Sequence, residues 1–92
     1  MELDAASASI RMRKLGLEGV GKFEFRRPHG ASRATQLTVW VWRDGKSSTF
    51  GLSKSMLSDW IAHLEALGSP TLEQARESFE ERRKASLPFQ LG

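Results

Sequence analysis

The residues best equipped for chemistry sit together in TVWVWRDGKSSTF, residues 38–50. Trp40 and Trp42 are one residue apart in a segment that alternates like a strand, and strand side chains two apart share a face. Two indoles spaced by about 7 Å on one face suit stacking against flat or apolar groups. Cations surround them. Residues 11–54 hold ten Lys/Arg (Arg11, Arg13, Lys14, Lys22, Arg26, Arg27, Arg33, Arg43, Lys46, Lys54) against the acids Glu18, Glu24 and Asp44, a local charge of +7 in a chain of net charge +3. Residues 1–10 and 55–92 each carry −2. Basic side chains that track phosphates beside aromatics that stack bases are what unpaired nucleic acid needs. Trp40 and Trp42, with Arg11, Arg13, Lys22, Arg26, Arg27, Arg33, Arg43 and Lys46, therefore form the candidate nucleic-acid-binding set. Arg26, Arg27 and Arg33 flank or lie in a loop at 28–35 and suit phosphate contacts.

Other chemistries find no footing. His29 and His63 are the only histidines, and there is no cysteine, so neither a zinc site nor a disulfide framework is expected. The serines near 47–48 and 53–58 have no base arranged to activate them. Gly16, Gly19 and Gly21 do not precede a helix, which removes the phosphate-cradling reading. Glu80-Glu81 reads as a solvated helix face. The expectation is binding without catalysis, cofactor or metal. A cysteine-free chain with no apolar run long enough for a signal core or a membrane span fits a cytoplasmic protein with no membrane partner.

The elements that must position the tryptophans read as one domain over 1–92. Residues 1–8 are expected to be disordered. Residues 9–52 read as an antiparallel sheet of four strands. Ile10-Arg11-Met12-Arg13 alternates as a first strand. Gly21–Arg26 follows, with Phe23 and Phe25 on one face, then Gln36–Arg43 and Ser47–Leu52. Asp44-Gly45 between the last two predicts a type I′ turn, since both positions need positive φ. That two-residue loop places Arg43 opposite Lys46 and Val39 opposite Phe50. One face then gathers Leu37, Val39, Val41, Phe50 and Leu52, and the other Thr38, Trp40, Trp42, Ser47, Thr49 and Gly51. Residues 53–68 read as a core helix, capped by Ser53 or Ser55 and by Gly68, with Met56, Leu57, Trp60, Ile61, Leu64 and Leu67 as its apolar stripe. Residues 70–86 form a second, charged helix with Thr71 and Gln74 in a capping box, and 87–92 is an apolar tail. Strands followed by helices give an α+β fold.

The core helix serves the first face, so the tryptophan face needs another cover. Three remain open: the second helix and tail through Phe79, Leu87 and Phe89; a second subunit in a homodimer; or a nucleic-acid ligand. A small domain gains stability from association.

The run GLSKSMLSDWIAHLEAL, following four expected strands, resembles the single-stranded-DNA-binding domain of the coactivators called positive cofactor 4. The matching residues are Gly51, Leu52, Ser53 and Trp60, within residues 10–67. Three strands followed by a helix also resembles the arm-binding domains of phage integrases, which place a sheet in the DNA major groove. Both resemblances imply a DNA-binding accessory factor in transcription regulation or another DNA transaction; the alternative is a small phage- or plasmid-type regulator that binds another protein through its tryptophans.

Overall fold

The computed structural model describes residues 3–28 and 35–85. It is α+β, with helix α1 (Ala5–Lys14), strands β1 (Phe23–Arg26), β2 (Gln36–Arg43) and β3 (Lys46–Ser53), and helices α2 (Lys54–Leu67) and α3 (Leu72–Ala85). The sheet has three antiparallel strands in the order β1-β2-β3.

The expected first strand is a helix, so the four-stranded sheet is corrected to three, and the four-strand pattern behind the coactivator resemblance is absent. Ile10 and Met12 decide it. On a strand they would share a face, yet Ile10 is 49% exposed and Met12 is fully buried. Met12 instead pairs with buried Ala8, four residues earlier, as one face of a helix requires. Asp4 opens this helix: the Ser7 backbone N–H donates to its carboxylate at 2.7 Å, and the Asp4 N–H donates to the Ser7 hydroxyl at 3.0 Å. Arg11, Arg13 and Lys14 lie in the last turn, where cations suit the helix dipole. Helix thus occupies residues 5–8, expected to be disordered.

The remaining elements follow the pattern of apolar residues. Asp44 and Gly45 take φ of 54° and 77°, and the register pairs Arg43 with Lys46, Val39 with Phe50 and Leu37 with Leu52. β1 adds Phe23 opposite Val41 and Phe25 opposite Val39. Ser53 ends β3 and caps α2, accepting from the Met56 N–H at 3.2 Å, so strand passes into helix without a loop. Gly68 closes α2 with φ 85°. Thr71 and Gln74 bond reciprocally at 2.8 and 3.0 Å ahead of α3.

All three helices contribute to one core against a single sheet face. Leu57, Trp60, Ile61 and Leu64 of α2 and Ala75 and Phe79 of α3 are fully buried with Phe23 and Val39. Trp60 and Phe79 meet edge-to-face at 5.1 Å, and each also touches Phe23. The Trp60 indole N–H donates to the buried Ser78 hydroxyl at 3.0 Å, which donates on to the Ala75 carbonyl.

Candidate functional site

With the helices collected on one side, the opposite sheet face is a surface built from alternate residues. β2 contributes Thr38, Trp40 and Trp42. β1 sets Arg26 opposite Thr38 and Glu24 opposite Trp40, and the Trp42 N–H donates to the Lys22 carbonyl at 3.0 Å. β3 sets Gly51, Thr49 and Ser47 opposite the same three β2 residues. The two indoles are half-buried, with centroids 6.5 Å apart and planes inclined by 33°. The Arg26 guanidinium lies over the Trp40 ring, 4.7 Å from its centroid, a cation–π contact that holds a charge at the edge of an aromatic platform. Glu24 sits 3.5 Å from Arg26 and partly offsets it. The Trp42 indole N–H is buried and has no hydrogen-bond partner, so Trp42 presents apolar area rather than a donor.

The ten expected binding residues divide. Lys22, Arg26, Trp40 and Trp42 share the open face. Arg27 follows Arg26 and is exposed. Lys46 and Arg43 close the hairpin beyond Trp42, but their register places them on the helix side of the sheet with Val41 and Ser48, and Arg43 leans toward Glu73 of α3, 4.0 Å away. Arg11 and Arg13 are on α1, in the helix layer behind the sheet. Arg11 makes two hydrogen bonds to Glu65, at 2.6 and 2.9 Å, and Arg13 pairs with Glu18 at 3.2 Å. Arg33, like His29, lies outside the described residues.

This sorting has an electrostatic logic. In the helix layer, the arginines are matched by acids, while Lys14 enters no ion pair among the described residues: besides Arg11 and Arg13, Arg82 meets Asp59 at 2.9 Å and Arg83 meets Glu80 at 2.8 Å. The Arg11 guanidinium holds the Glu65 carboxyl below its usual range, and Arg83 does the same for Glu80. Among the described residues, Lys22, Arg27 and Lys46 enter no ion pair.

A cleft of about 190 Å³ lies between the hairpin and α3, floored by Val41, Phe50 and Phe79, with Arg43, Arg76 and Glu80 at its walls. Its charges are matched within the protein: Arg76 is 3.6 Å from Glu73 and donates to the Trp42 carbonyl at 2.8 Å. Its role is to tie α3 to the end of β2. Among the described residues no cluster of His, Asp or Glu is placed to hold a metal ion, and no helix is long and apolar enough to cross a membrane.

The reading of the second helix as cover for the tryptophans is overturned by Phe79, which packs on the opposite face against Phe23, Phe50 and Trp60. Leu87 and Phe89 lie outside the described residues. Sequence reasoning missed the stacking of Arg26 on Trp40. Its signal was available in principle, since Arg26 and Trp40 lie near each other across adjacent strands, but the β1–β2 register depends on a long connection and could not be counted out. No family model matches the chain, and no curated protein or solved structure matches it.

Proposed function

We propose that the protein binds unpaired nucleic acid on the helix-free face of its sheet. The observation that carries this reading is the Trp40–Trp42 pair, 6.5 Å apart, with the Arg26 guanidinium over Trp40. Two bases stack on the indoles, while Lys22, Arg26 and Arg27 contact the phosphates alongside. Every base has a π-face, so such a platform is tolerant of sequence. Among the described residues, this sheet face offers flat rings to splayed bases and carries no projecting element to enter a groove, which favours single strands over duplex.

The test is titration of labelled oligothymidylate and of a matched duplex with the full chain. The single strand should bind more tightly, and Trp40→Ala and Trp42→Ala should each weaken it by about 1–3 kcal/mol. Equal retention of single strand and duplex, or binding that both alanine variants leave intact, would discard the platform.

A second reading rests on Glu24. With that carboxylate 3.5 Å from Arg26, the centre of the face is nearly neutral, and tryptophan and arginine are the residues that anchor protein interfaces. A partner protein docking there would be lost on the same alanine substitutions but would show little salt dependence.

A further inference from the structure

The two edges of the sheet are finished differently. β1 is four residues long, and the preceding segment closes its outer side at Phe23: Gly19 donates to the Phe23 carbonyl at 2.8 Å, and Phe23 donates to the Leu17 carbonyl at 3.1 Å. β3 is eight residues long, and among the described residues no strand lies on its outer side.

The two-residue loop decides which β3 groups point outward. In such a hairpin the pair that closes the loop, Arg43 and Lys46, exchanges both backbone bonds, and bonded pairs recur at every second residue. The register therefore commits Lys46, Ser48, Phe50 and Leu52 to β2. The N–H and C=O groups of Ser47, Thr49 and Gly51 are left facing out, on three residues that are all exposed. Edge strands are ordinarily blunted by charge, proline or a bulge. Ser47–Ser53 has no charged residue and no proline, and its register with β2 is unbroken.

We propose that β3 pairs antiparallel with the same strand of a second copy, about a two-fold axis through Thr49, to make one continuous six-stranded sheet. Thr49 then faces Thr49 of the partner subunit, and Ser47 faces Gly51 of the partner subunit, so the outward groups of all three residues are bonded. The edge is complementary to itself. On the tryptophan side, small residues meet small residues. On the helix side, Ser48 lies across from Phe50 of the partner subunit and leaves room for the larger ring. The one nearby charge, Lys46, falls at opposite ends of the two copies, so like charges do not meet. The axis runs perpendicular to the sheet, which turns both tryptophan pairs to the same side, about three strand spacings or ~14 Å apart. The pairing uses backbone groups alone and does not depend on what the tryptophans bind.

Sedimentation of the full chain at micromolar to millimolar concentration tests this. Twice the 10.3 kDa chain mass is expected. Thr49→Lys sets two ammonium groups against each other at the axis and should give a monomer with unchanged helix and strand content. Thr49→Pro removes an N–H that β2 does not use and should do the same. If proline disturbs the fold, the lysine variant and a cross-link decide. The chain has no cysteine, so Thr49→Cys can join only to its own copy. It should oxidise to a dimer at dilution, because facing bonded residues lie about 5.5 Å apart at Cα, within disulfide range. Val20→Cys, at a residue 76% exposed and remote from β3, should stay largely monomeric. A wild type monomeric at millimolar concentration overturns the proposal, as does a dimer that survives Thr49→Lys, or equal cross-linking at both cysteines.

Discussion

Trp60 and Ser78 make the one polar contact buried in the described core, and it is closed at both ends: the indole donates, and the hydroxyl accepts and donates on to Ala75. Ser78→Ala leaves a buried N–H without an acceptor. The expected loss is about 1–3 kcal/mol, the cost of stranding a buried donor, read as a lower midpoint in urea. At the surface, Glu65 gives a pH signature. Hydrogen bonds from Arg11 hold its carboxyl below the ordinary 4.5. A lowered folded pKa contributes stability above the unfolded value and loses it as pH falls through the folded one. Glu65→Gln should therefore lower stability modestly at neutral pH and flatten the further loss below about pH 4.5, the two proteins converging in acid. The pair is partly exposed, at 32% and 40% of the two side chains, so its worth is under about 1 kcal/mol.

Among the elements, the three strands and helices α2 and α3 were legible and α1 was not. β2, β3 and α2 each span eight residues or more, and their turn, caps and register follow from Asp44-Gly45, Ser53 and Gly68. Ile10–Arg13 is only four residues, and at that length alternation and helical spacing cannot be told apart. The deciding signal was Ala8 four before Met12, with Asp4 and Ser7 ahead of it, and it lay in the stretch 1–8 expected to be disordered. The open face was legible as a composition, two tryptophans among hydroxyls. The sorting of the arginines was not, because it depends on α1 lying behind the sheet. α3 was read correctly as a charged helix, but its thin apolar line of Leu72, Ala75 and Phe79 inserts into the main core. Phe79→Ala should cost about 3–5 kcal/mol in a denaturation experiment, as for other buried phenylalanines. Removing everything after Gly68 should abolish cooperative unfolding rather than merely expose Trp40 and Trp42.

For the whole molecule, the separation of charges sets the expected salt response. The acids of the helix layer are largely matched by bases of that layer, and the described cations beside the open face are Lys22, Arg26 and Arg27. Each phosphate neutralised on a single strand contributes about −0.7 to the slope of log affinity against log salt. Three contacts give a slope near −2, well short of that of a protein coating duplex DNA. Arg26→Ala with Arg27→Ala should bring it to roughly −0.7. Arg11→Ala should leave it unchanged, since Arg11 is committed to Glu65.

The passage from β3 into α2 through a single residue, Ser53, bears on how the chain reaches this structure. β2, its two-residue turn, β3 and α2 form one uninterrupted stretch, 36–67, whose contacts form between near neighbours in sequence and cost little loop entropy. α1 and α3 must arrive from outside it. The barrier is therefore expected to be crossed with the hairpin and α2 already docked. Gly45→Ala and Leu57→Ala should slow refolding, whereas Met12→Ala and Phe79→Ala should act chiefly by accelerating unfolding. Stopped-flow chevrons of the four variants would separate the two groups, and a refolding arm slowed equally by all four would mean that the core closes in a single concerted event.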